Sequence, residues 1–120
     1  MRPILPAEKI HPNALNIIEN NHLDIINEVK SAVTEHNIVI VGMAQNPAPK
    51  RARRVLDDLD IKYCYLEYGS YFKQWRRRNA LKMWAGWPTF PMIFVKGTLI
   101  GGSSDMRALI NSGDFTNLMS

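Results

Sequence analysis

The sequence predicts an α/β fold, a four-stranded mixed sheet flanked by helices, and three observations carry that expectation. Residues Ile38 to Met43 form a continuous, largely β-branched run between polar neighbours, the pattern of a central strand covered on both faces. A second such run, Ile61 to Glu67, follows after one helix's worth of chain and completes a β-α-β unit. Pro91 to Val95 and Thr98 to Ile100 are joined through Lys96-Gly97, which signals a hairpin.

The remaining elements follow from periodicity and end signals. Pro3, Pro6 and Pro12 with no sustained period make residues 1 to about 13 an irregular arm. Leu15, Ile18, Leu23, Ile26, Val29 and Val33 then recur at helical spacings, with Asn20-Asn21 as a possible break, so at least one helix is predicted between Ala14 and about His36, covering Leu23 to His36. After the first strand, Asn46 is a good N-cap and Pro47 occupies the favoured first helical position. Ala52, Val55, Leu56 and Leu59 form the buried stripe of that helix. Tyr71 to about Trp84 reads as a basic, Trp-bearing helix, and Gly101-Gly102 turns the chain into a last helix starting near Ser103 or Ser104. A short helical turn around Asp114 to Met119 closes the series. This order, a β-α-β unit followed by a helix and a β-hairpin, is the thioredoxin layout.

A chain of 120 residues, 46% hydrophobic, supports one domain with its own core. Within that compact unit, residues 1–36 form an arm and helix and residues 37–120 the sheet-bearing domain. No apolar run reaches membrane-spanning length and the amino terminus lacks a signal-peptide core, so a soluble, cytoplasmic protein with no membrane partner is expected. The single cysteine, Cys64, cannot form an internal disulfide, and no Cys/His cluster has metal-site spacing. In the middle of the second strand it reads as a small buried core group with a raised pKa.

The net charge of +4 is unevenly spread. Between Lys50 and Lys82 stand ten basic residues and four acidic ones, a local balance of +6. Such a patch attracts anions, whether small carboxylates, an acidic protein or nucleic-acid phosphates, or simply keeps the surface solvated. No nucleic-acid motif accompanies the charge, so nucleic acid is not the expected partner.

The nineteen residues Trp87 to Asp105, with WPTFP before the hairpin and GGSSD after it, resemble the carboxy-terminal half of glutaredoxins, the monothiol class in particular. The resemblance extends over roughly Asn37 to Leu118. It implies a cis proline at Pro91, preceded by Thr89 and Phe90, with the Phe90 backbone presented to the cysteinyl part of glutathione. It also implies that Arg78, nine residues before Trp87, pairs with the glycine carboxylate of that tripeptide, a task suited to a planar guanidinium. Ser103, Ser104 and Asp105 would receive the γ-glutamyl carboxylate at a helix start.

Set against the family's Cys-x-x-Cys or Cys-x-x-Ser, this chain has Asn46-Pro47-Ala48-Pro49. Asn46 takes the nucleophile position and Pro49 the resolving one, and Met43 stands nearest the lysine many members carry. Thiol-disulfide exchange needs a thiolate, which an amide cannot supply, so no catalytic residue is assigned. The thiolate that would hold a shared [2Fe–2S] cluster is also missing, and cluster binding is not expected. The resemblance thus implies a non-catalytic module that takes glutathione, a peptide-like thiol or a protein partner in the inherited groove. Two alternatives stay open: a redox role in which the thiol of bound glutathione supplies the sulfur, and a basic surface that binds an acidic partner or nucleic acid.

Overall fold

The computed structural model describes residues 1–120. Its sheet has the order β2-β1-β3-β4, built from β1 (Ile38–Gly42), β2 (Cys64–Glu67), β3 (Met92–Val95) and β4 (Thr98–Gly101). β1 pairs parallel to β2 and antiparallel to β3, and β3 and β4 form the antiparallel hairpin, with a register shift between Ile93 and Phe94. The mixed sheet and thioredoxin-like arrangement are those predicted.

Alternation along the strands divides the core between the two faces of the sheet. Val39, Val41, Met92 and Phe94 pack with Ile25, Val29 and Ala32 of α2 (Leu23–Glu35) and Leu81 of α4 (Trp75–Ala85). Ile38, Ile40, Ile93 and Val95 face the other way, onto Ala52 and Leu56 of α3 (Pro47–Asp58), Met106 of α5 (Ser103–Ser112) and Phe115 of α6 (Asp114–Met119). The helix over 23–35 is therefore part of the layered core. No helix is long and apolar enough to cross a membrane.

Four boundaries differ from expectation, each for a local reason. A nine-residue helix, α1 (Pro12–Asn20), begins inside the predicted arm, where His11 Nδ1 accepts from the Asn13 N–H at 3.1 Å and Pro12 sits at the first position. Ala7–Lys9 makes one 3₁₀ turn before it. Ile61 to Tyr63 are not strand: Asp60 adopts a left-handed φ of 58° and the Ile61 N–H donates back to Leu56 O at 3.0 Å, so these residues terminate α3. The basic helix starts at Trp75 instead of Tyr71, because residues 68–74 fold back around the side chain of Arg78.

Cys64 is half-buried on the edge strand β2, not enclosed in the core as the sequence suggested. Burial first, then the Glu35 carboxylate, raises its pKa.

Two tyrosines beside it respond in the same sense. Burial, then the hydrogen bond to Glu67, moves Tyr65 from 10.0 to about 12. Burial, then the hydrogen bond to Glu28, raises Tyr68. A raised folded pKa means that the folded state keeps a proton the unfolded chain releases. The stabilisation is complete below the unfolded value and disappears as pH rises through the folded one. The urea midpoint should therefore fall between pH 10.0 and about 12. The fall should be shallower in Tyr65→Phe/Tyr68→Phe, which has no phenolic proton to lose there. Equal slopes in the two proteins would contradict this assignment.

Candidate functional site

β1 delivers the chain to α3, and the sequence fixes how that helix begins. Asn46 Oδ1 accepts from the Ala48 N–H at 3.0 Å and Pro47 occupies the first position, as the cap signal predicts. The other end of the same amide is also used: Nδ2 donates to Phe90 O at 3.4 Å, tying the helix start to the loop before β3. Pro49 is buried, and a Cβ on Gly42 would lie 2.8 Å from its ring, so only glycine in β1 lets α3 approach this closely. Neither position offers sulfur.

The Phe90–Pro91 peptide is cis. At the far end of the hairpin, Gly101 has φ 111°, and a Cβ there would sit 2.6 Å from Asp105 Oδ2. That carboxylate oxygen accepts from the Gly102 N–H at 2.8 Å and fixes the first turn of α5. Met106 N–H takes up Gly102 O at 3.0 Å. The Ser103 and Ser104 amides, at the first positions of α5, precede the first in-helix donor and lie at its positive end.

These pieces enclose a cleft of about 220 Å³ between the start of α3, the loop over 87–91 and the start of α5. Six of the seven residues assigned to a ligand from sequence line it: Thr89, Phe90, Pro91, Ser103, Ser104 and Asp105. Ala48, Trp87 and Gly102 complete the wall, and the buried indole N–H of Trp87 has no acceptor within the chain.

Arg78 is the seventh, and it lies apart from the other six. It is 6% exposed and absent from the cleft. Its Nη1 donates to Tyr68 O at 2.9 Å and to Lys73 O at 2.6 Å, which ties that end of the guanidinium to the loop that precedes α4. Burial pulls its pKa below the ordinary arginine value. Two other arginines face the cleft instead, Arg51 from α3 and Arg107 from α5. Neither has a carboxylate partner; the one ion pair in the chain joins Arg77 and Asp24 at 3.0 Å. The only acid in the cleft, Asp105, is engaged with the Gly102 amide. Two guanidiniums and a helix start thus give the cleft a positive field suited to carboxylates. In the sequence these arginines are two among many basic residues; what singles them out is the packing of α3 on α5.

Cys64 does not line the cleft. Trp84 packs on Phe94 with ring centroids 6.2 Å apart, whereas Trp75 is 49% exposed with the Arg76 guanidinium 5.0 Å over its ring.

Comparison with known proteins agrees with this architecture. The glutaredoxin family model matches residues 38–100. A glutaredoxin-like protein of Dictyostelium discoideum is 46% identical over 105 residues, covering 88% of this chain and 85% of that protein. Glutaredoxin-C8 of Oryza sativa subsp. japonica is 32% identical over 93 residues, 76% of this chain and 68% of its own. Among solved structures, oxidised glutaredoxin 2 of Chlamydomonas reinhardtii superimposes with a TM-score of 0.70 at 23% identity, covering 82% of this chain and 94% of that one. A buckwheat glutaredoxin–glutathione complex does so with 0.71 at 18% identity, covering 84% and 92%.

Proposed function

This chain belongs to the glutaredoxin family, and from that premise we propose that it is a non-catalytic member that binds glutathione, or the γ-glutamyl-like end of a peptide, in the cleft between α3 and α5. The observation that carries the reading is the combination of a retained cleft with a thiol position occupied by an amide whose two ends are both hydrogen-bonded. A relative of the same fold was crystallised with glutathione, which supports the choice of ligand.

The chemistry of binding follows from the lining. Carboxylates of the ligand are met by the Arg51 and Arg107 guanidiniums and by the first amides of α5, in charge-assisted hydrogen bonds. Without a thiolate at Asn46 no covalent bond to the ligand's sulfur forms, so the ligand remains exchangeable. An amide and a proline at the start of α3 do not fit a thiolate-held [2Fe–2S] cluster.

Calorimetric titration with reduced glutathione tests the reading. Saturable binding is expected for the unaltered chain, weakened at least about tenfold in Arg51→Glu/Arg107→Glu, a loss of about 1.4 kcal/mol. Binding indifferent to both changes would mean that the carboxylates are held elsewhere.

A further inference from the structure

The face built by the arm, α1, α2 and α4 is open. The accessible surface is 7798 Å², whereas a monomer of this mass exposes about 6,600 Å², an excess of about 1,200 Å². The radius of gyration says the same: 15.4 Å against about 14 Å for a compact chain of this length.

Much of the apolar part of this surface lies together. Ile4 and Leu5 of the arm, Ile18 of α1, Leu23 of α2 and Met83 of α4 are each between 43% and 64% exposed and line one groove of about 820 Å³. Ile17, also on α1, is 69% exposed. The arm is held in place as one wall, because Arg2 Nη1 donates to Ala85 O at 3.0 Å at the end of α4. The arm and α1 lie wholly outside the part of the chain that the family model matches.

α1 itself needs a partner. It has nine residues and none of them is buried, and a helix that short is marginal in water without tertiary packing. Its one charged residue, Glu19, lines the groove together with Arg2, Lys30 and Lys82. The same apolar face therefore carries both signs of charge, which a two-fold axis can set against each other across an interface.

We propose that this face is the interface of a homodimer, in which α1 and the arm of each chain pack into the groove between α1, α2 and α4 of the other, with Glu19 set against the partner chain's basic border. The excess surface exceeds the roughly 800 Å² per partner that a standard interface buries. The occupant is a second copy because the chain supplies both complementary halves; neither glutathione nor the cleft near α5 takes part.

Sedimentation equilibrium of the full chain, from micromolar to several hundred micromolar, tests this. The predicted result is a species of twice the 13.7 kDa chain mass, with dissociation at least tenfold easier in Ile17→Glu and in Met83→Glu. Both side chains are exposed, so the variants should keep the circular dichroism of the parent. A charge reversal, Glu19→Lys, should also favour monomer, more strongly at low salt. A chain that stays monomeric at the highest concentration overturns the proposal, and so does a dimer that both glutamate variants leave unchanged. Association with an acidic amphipathic peptide but not with itself would overturn it in favour of a different partner.

Discussion

Arg78→Met is expected to lower the stability of the fold by about 3 kcal/mol, the largest loss we predict for one side chain. The guanidinium is 6% exposed and bonds Tyr68 O and Lys73 O from a single nitrogen. Methionine fills much of the volume but donates nothing. Two carbonyls then lose their partner, each at a cost of about 1–3 kcal/mol when sheltered from water. Part of that cost is offset because the buried charge disappears with them. The loop over 68–74 should loosen, and with it the first turn of α4. Melting should drop by roughly 10 °C, with Arg78→Lys intermediate because an ammonium can satisfy a carbonyl without the fixed fork. The same variant decides between two roles. An arginine reserved for a ligand's carboxylate would leave the apo protein's melting unchanged and abolish glutathione binding. The structure predicts the reverse, a large loss of stability with the cleft's affinity kept in the fraction that remains folded.

The second large effect is a gain. Asn46→Cys should make the chain react with oxidised glutathione, where the parent does not react at this position. The introduced thiol would sit at the positive end of α3, where Pro47 and Pro49 have no N–H and the Ala48 N–H, freed from its Asn46 cap, is the donor that favours the thiolate form. That thiolate attacks one sulfur of the disulfide, a protein–glutathione disulfide forms, and one glutathione leaves as its thiolate to pick up a proton from water. Mass spectrometry would read one glutathionyl group per chain. The background Cys64→Ala removes the other thiol from consideration. The substitution costs about 1 kcal/mol, since both the Ala48 cap and the Phe90 link are lost. An unmodified product under conditions that label free thiols would mean that the cleft does not bring glutathione's sulfur to this helix start.

Much of this architecture is legible in the residues. The β1 run, the Lys96-Gly97 hairpin, the Asn46-Pro47 helix start and the Gly101-Gly102 entry to α5 are local signals, set by a strand's burial or by one turn of chain, and local physics decides them. The cleft's wall was legible because Thr89, Phe90 and Pro91 and the serines after Gly102 belong to two short contiguous motifs. What escaped is set by neighbours distant in sequence. Arg78 follows two other arginines, Arg76 and Arg77, and nothing in that run says which one turns inward; the carbonyls that capture it belong to the loop before the helix. Arg51 and Arg107 meet only because α3 packs on α5. Ile61 to Tyr63 have strand composition, yet the end of α3 claims the Ile61 amide first. Cys64 lies opposite Val39 at an edge, and edge position is a property of sheet order, which no single strand carries.

The central claim is that the cleft between α3 and α5 remains a ligand site after losing its thiol, and backbone amide shifts during titration with reduced glutathione test it most directly. The account predicts saturable shifts confined to Arg51, Thr89, Phe90 and Ser103 to Arg107, with Arg78 and its loop unmoved. Shifts absent up to several millimolar, or centred on Arg78 and Tyr68 instead, would contradict it.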